Sequence, residues 1–451
     1  MKLKSIHIFL ILLCFHCGIL GAQGNFFLKG NSSDKIKFEL VSNLIIIPIE
    51  VNDVPLSFVL DTGVSKPILF NLTEDDSLNL QSIQKFSLHG LGADGEIEAI
   101  RSKYNRIKFG NALGTNQDLF VVFDQSIDFT PRLGIWIHGI IGYDLFKDFI
   151  VEINYSGKYI RLHKHESFKN KASKKWRRIP LDVYRNKPYV NSFATIGEDE
   201  KPIKLLIDTG SSDALWLFEN KNKGLYPNLN KNFVDYLGKG LSGSVYGKRS
   251  KINTFKLSDF ELNNVNVAFP DSVSIDKNRI YKDRNGSLGG EILKRFNLFF
   301  DYKNEMLYLK KNSNYKLSFT YNNSGIVLER NGSQFIREKV KVPSKDNFSQ
   351  SDMNAVRINM SIDYRVVLKP IYEVVELRET SNAYASGLRI GDIIIAVNGH
   401  EVYEYKLPEV NSFFHGNPGK VVRLKIERYG KTMTIKFKLD DVFKITKPSK
   451  N

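Results

Sequence analysis

Residues 58–70 read FVLDTGVSKPILF, and residues 205–218 read LLIDTGSSDALWLF. In each, a branched, apolar run of strand type enters an Asp-Thr-Gly turn and leaves in a second apolar run. The two acids, Asp61 and Asp208, lie 208 − 61 = 147 positions apart. A second pair repeats downstream: residues 140–162 read IIGYDLFKDFIVEINYSGKYIRL, and residues 287–309 read SLGGEILKRFNLFFDYKNEMLYL. Gly142 matches Gly289 and Tyr155 matches Tyr302, again at 147. Between these anchors each copy carries a glycine-rich turn, with Gly90 and Gly92 in the first and Gly238 and Gly240 in the second, offset by 148. One short match arises by chance. Three in the same order at nearly one offset make an internal repeat, which fixes the architecture.

The repeat predicts two similar, closed β lobes over 30–165 and 175–312, related by a pseudo-twofold axis. Runs at 44–51, 119–123 and 299–309 are short, apolar and rich in branched or aromatic residues, as strands are. Helices are expected only as short pieces, at 142–149 and 290–296. A basic linker at 166–174 joins the lobes. The cluster KASKKWRR at 171–178 has no nucleic-acid module beside it and reads as a solvated linker.

From about residue 320 the pattern changes. Residues 385–399 read ASGLRIGDIIIAVNG, and Pro418-Gly419 precedes another strand-like run at 421–428. A small α+β domain is expected at 320–440, with a polar insertion at 336–365. The expected fold class is therefore mainly β: two similar lobes plus this smaller domain.

Hydrophobic residues make up 42% of the 451 and aromatics 12%, enough for real cores and against long disorder. Residues 1–24 read as a secretory leader. Lys2 and Lys4 precede an apolar run from Ile6 to about Leu20, and small residues at Gly21, Ala22 and Gly24 follow. Both cysteines, Cys14 and Cys17, fall inside it. The mature chain then has no thiol for a disulfide, a nucleophile or a zinc site. The location expected is periplasmic or extracellular, with envelope association open and no transmembrane span in the mature chain. The net charge of +16 suits anionic envelope components or acidic substrates.

The two Asp-Thr-Gly turns, with Ile140-Ile141-Gly142 and, more loosely, Ser287-Leu288-Gly289, resemble those of retropepsin-like and pepsin-like aspartic peptidases. The likeness covers roughly residues 35–312. Retropepsins assemble their site from two chains, whereas this chain supplies both halves, as pepsin-like enzymes do. The resemblance implies that Asp61 and Asp208 form the catalytic pair and that Thr62 and Thr209 cross-link the turns beneath them. Gly63 and Gly210 let the backbone turn sharply. Two such carboxyls share one proton, and the charged one activates a water against the peptide carbonyl. No metal, cofactor or covalent intermediate is called for. Gly90, Gly92, Gly238 and Gly240 stand where family flaps lie. The pattern departs from pepsin in having no Tyr within the first turn, with Tyr246 just beyond the second, and in Val64, where a small or hydroxyl residue is usual.

The segment 385–399 resembles the core of PDZ domains of the bacterial envelope-protease type. Such domains add a peptide to a sheet edge and hold its terminal carboxylate in backbone N–H groups. The resemblance makes Ser324, Gly325, Ile326 and Leu328 candidates for the binding loop and strand, with Val410 and Phe414 on the opposing helix.

The function expected is an aspartic endopeptidase acting on extended polypeptides, as a pseudo-dimeric monomer, with the PDZ-like domain recognising a peptide or partner. The alternative is a catalytically silent peptide-binding scaffold. No nucleic-acid partner is expected.

Overall fold

The computed structural model describes residues 24–73, 78–90, 92, 95–124, 127–168, 175–275, 280–343 and 360–443. The leader therefore lies outside the described residues except for Gly24, and the linker does so from 169 to 174. The chain divides into two units. One comprises the chain up to Asp128 with Ile137–Asn228 and Tyr236–Leu317; the other comprises Phe129–Trp136, Leu229–Asp235 and Ser318–Asn451.

The first unit holds the two repeats. Each half builds one large sheet, of nine strands in the first and eight in the second among the described residues. The local chemistry explains the hairpins. Asn52 and Asp53 both adopt positive φ (47° and 72°), the geometry of a two-residue turn that matches strand twist. They connect Leu44–Val51 to Val54–Leu60 with Val51 paired to Val54. One hairpin earlier, Ser42-Asn43 (47° and 69°) places Leu44 opposite Val41, and in the second half Arg185-Asn186 (49° and 67°) likewise places Lys187 opposite Tyr184. In Leu44–Val51 the alternate residues Ile45, Ile47, Ile49 and Val51 are all buried, and on the other face Ile46 is buried too.

A third sheet of six strands joins the halves. Ser33–Lys37, Ile150–Asn154 and Tyr159–His163 come from the first repeat; Arg177–Pro180, Phe296–Asp301 and Met306–Lys311 come from the second. The seam is the antiparallel pairing of Val151 with Phe300 and of Asn154 with Asn297. Above it Phe146 packs edge-on to Phe300 (5.3 Å between centroids) and stacks on Tyr302 (5.2 Å). The apolar run at 299–309 is thus two strands, divided by a turn in which Glu305 takes φ 51°. The two short helices are single turns, Tyr143–Phe146 and Gly290–Leu293.

The second unit is a six-stranded sheet in the order Ile326–Pro343, Met360–Leu377, Ile393–Val397, Val421–Arg428, Lys431–Lys438, with His400–Glu401 paired to Ile393–Val397. Helices Asn382–Ala385 and Leu407–Ser412 accompany it. The Gly-Asp motif has a structural role here. Buried Asp392 accepts two bonds from Arg428 (2.5 and 2.7 Å) and one from the Arg389 N–H (2.8 Å). The polar stretch at 336–365 is not irregular where described: it continues the first two strands as one antiparallel ribbon.

Candidate active site

In each half the strand before the Asp-Thr-Gly turn pairs in parallel with the strand before the matched glycine. Val54–Leu60 runs beside Gly139–Ile141, and Asp199–Ile207 beside Gly286–Leu288. The Asp61 N–H then donates to Ile141 O (2.8 Å), and the Asp208 N–H to Leu288 O (2.9 Å). A Cβ on Gly142 would lie 1.9 Å from Asp61 O, and one on Gly289 would lie 2.2 Å from Asp213 O. Both glycines are therefore required by close backbone approach.

The two turns meet. The Thr62 N–H donates to Thr209 Oγ1 (3.0 Å), and the Thr209 N–H to Thr62 Oγ1 (3.1 Å). Each hydroxyl passes its own proton across, Thr62 to Ile207 O (2.6 Å) and Thr209 to Leu60 O (2.7 Å). Both threonines are fully buried, so these four bonds form a dry, reciprocal cross-link. Above it, the Gly63 N–H donates to Asp61 Oδ1 (2.6 Å) and the Gly210 N–H to Asp208 Oδ1 (3.1 Å). A Cβ on Gly210 would sit 2.3 Å from the Asp61 carboxyl carbon, which shows how closely one turn approaches the other's acid.

The two carboxyls lie close together: a Cβ on Gly63 would be 2.9 Å from Asp61 Oδ1 and 3.6 Å from Asp208 Oδ1. Burial, with the nearby charge of Asp208, pushes Asp61 up to about 7. Burial also raises Asp208, but Arg284 and Lys187 oppose the rise there. Neither cation was singled out from sequence. Lys187 follows the Arg185-Asn186 turn. Arg284 is held by bonds from Nε to Gly286 O (2.9 Å) and from its terminal nitrogen to Ser287 Oγ (2.5 Å). Burial lowers the pKa of both. Arg284 also lines a pocket of about 370 Å³ with Phe218, Lys248, Asp271 and Tyr281. Among the described residues no group of three or more His, Cys, Asp or Glu is placed to hold a metal.

The glycine-rich turns cap two long hairpins, Gln84–His89 with Glu96–Phe109 and Phe233–Gly240 with Gly243–Leu257. Their tips touch. The Gly90 N–H donates to Ser242 Oγ (2.9 Å), whose hydroxyl donates to Gly95 O (2.8 Å). A Cβ on Gly92 would fall 1.9 Å from Ser242 O. Gly238 takes φ 152°, and Gly240 ends its strand. Tyr246 packs edge-on against Tyr236 at 5.6 Å. Trp216 is a core residue, grouped with Leu237, Val245 and Ala268.

In the second unit Ile326, Leu328, Val410 and Phe414 all lie inside one hydrophobic core. Ser324 is buried, accepts the Ile326 N–H (3.0 Å) and donates to Asn322 (2.7 Å). Gly325 takes φ 74°, and a Cβ there would lie 2.8 Å from Ser381 Cβ. Within this unit Thr130–Leu133 lies along the strand beginning at Ile326 and the helix Leu407–Ser412, and Arg132 pairs with Glu329 and Glu376 at 2.8 Å each.

The aspartyl protease family model matches residues 47–145 and again 194–292, one copy in each half of the first unit. A PDZ domain model matches residues 373–428. No curated relative matches the chain. The chain thus carries a duplicated aspartyl protease domain followed by a C-terminal PDZ domain.

Proposed function

We propose that the chain is an aspartic endopeptidase whose catalytic pair is Asp61 and Asp208. The observation that carries this reading is the reciprocal threonine cross-link that brings the two Asp-Thr-Gly turns together, with both carboxyls buried and raised in pKa. A rigid base matters because small displacements of reacting groups are costly in rate. The pair works with one shared proton, and its ionisations belong to both residues. Lys187 and Arg284 favour the anion on Asp208, so Asp208 takes the proton of the attacking water. Asp61 keeps the shared proton and donates it to the scissile carbonyl. The tetrahedral diol collapses as a proton passes to the leaving nitrogen. The paired hairpin tips cover an extended substrate and exclude water during the reaction. The PDZ domain recruits a peptide or partner, and the leader exports the chain to the periplasm or beyond.

The test is cleavage of a diverse peptide library from pH 3 to 8, beside an Asp61→Asn/Asp208→Asn double variant. Cleavage by the wild type alone supports the reading. Absence of cleavage at every pH, with both proteins folded, overturns it in favour of a peptide-binding scaffold.

A further inference from the structure

We propose that the long two-stranded ribbon of the PDZ-bearing unit binds the surface of an anionic phospholipid bilayer. Past a bulge between Arg330 and Ser333, its register runs unbroken from Ser333 opposite Pro370 to Pro343 opposite Met360. At about 3.4 Å per residue that is an arm of roughly 35 Å. The next strand, Ile393–Val397, pairs with it only at Tyr372 and Glu373, so no third strand covers the arm among the described residues.

Side chains two apart share a face of a strand. Ile362, Tyr364, Val366 and Leu368 therefore form one row, and Phe335, opposite Leu368, extends it. These five are 58–75% exposed. An exposed apolar row of this size marks an interaction surface. Beside it on the same face, Arg337 stands opposite Val366, Lys339 opposite Tyr364 and Lys341 opposite Ile362. The other face differs, for there Glu338 pairs with Arg365 (2.8 Å) and Lys369 (2.7 Å).

An apolar row beside a cationic row fits an anionic bilayer, which takes aromatic and aliphatic side chains at its interface and lysine and arginine at its headgroups. Charge complementarity also argues against a second copy, because two such faces packed together would bring their cations into one interface. The inference does not depend on the peptidase reading.

Flotation with vesicles tests it, using residues 24–451 so that the apolar leader cannot insert. The wild type is expected to float with phosphatidylglycerol vesicles and only weakly with phosphatidylcholine. Tyr364→Ser/Val366→Ser/Leu368→Ser should abolish flotation. Arg337→Glu/Lys339→Glu/Lys341→Glu should weaken it about a hundredfold or more, and it guards against misfolding of the first variant. Failure of the wild type to float, equal binding to both lipids, or binding unmoved by the charge-reversed variant overturns the proposal. So does a concentration-dependent dimer lost in the apolar variant, which would assign the face to a second copy.

Discussion

After its Asp-Thr-Gly turn the first half carries Val64, and the second carries Ser211. The backbone does not register the change: the Val64 N–H reaches Asp61 O, and the Ser211 N–H reaches Asp208 O, both at 3.3 Å. The halves diverge in charge instead. Lys187 follows the Arg185-Asn186 turn in the second half, where Leu44 follows the Ser42-Asn43 turn (φ 47° and 69°) in the first. Arg284 precedes the strand Gly286–Leu288 by two residues, and buried Ile137 precedes Gly139–Ile141 by the same interval. Symmetry is kept where hydrogen bonds hold the turns, and it is broken in the cations that surround the two acids.

The largest effect should come from the acids. Asp61→Asn and Asp208→Asn should each lower kcat at least about a thousandfold, despite the inequality of their surroundings. Full activity in either would break the pairing. Thr62→Val and Thr209→Val test the symmetric part. Each removes a buried donor and strands an N–H, so each should cost about 2–3 kcal/mol of stability by urea denaturation. A large difference between the two would show that the cross-link is not reciprocal in energy.

The asymmetric part is tested by pH. In the proposed mechanism the pair works with one proton, so kcat/KM should fall as pH rises through about 7, the value to which Asp61 is pushed. Lys187 lowers the pKa of both acids. Lys187→Met should therefore move both limbs of the profile to higher pH, by up to about one unit, the roughly 1.4 kcal/mol expected of one neighbouring cation. A shift of the profile to lower pH would contradict the charge assignment. The smallest effect should be Ser242→Ala, which removes the hydroxyl bridging Gly90 and Gly95. A rise of about fivefold in KM, corresponding to roughly 1 kcal/mol, with kcat little changed, would mark the hairpin tips as a substrate cover.

The turns were legible because each is contiguous with the strand that positions it, and because the repeat gave their partnership through one offset. Lys187 and Arg284 were not, since they approach the acids only through the fold and are distant from them along the chain. Gly238 and Gly240 marked the second turn, but the contact of the neighbouring Ser242 with the first turn was not legible. The apolar residues chosen for the PDZ groove proved to be core. Alternation along a strand says which residues share a face, not whether a ligand or the protein covers it. In the ribbon, alternation at 362–368 was present in the sequence but was hidden by the polar residues before it, so 336–365 read as an insertion.

Three strands from each half share the six-stranded sheet. A site assembled from separate subunits loses activity when diluted below the dissociation constant of its dimer. Here both acids, the threonine bonds between their turns and the shared sheet belong to one chain, so specific activity should be the same at trace abundance as in concentrated solution.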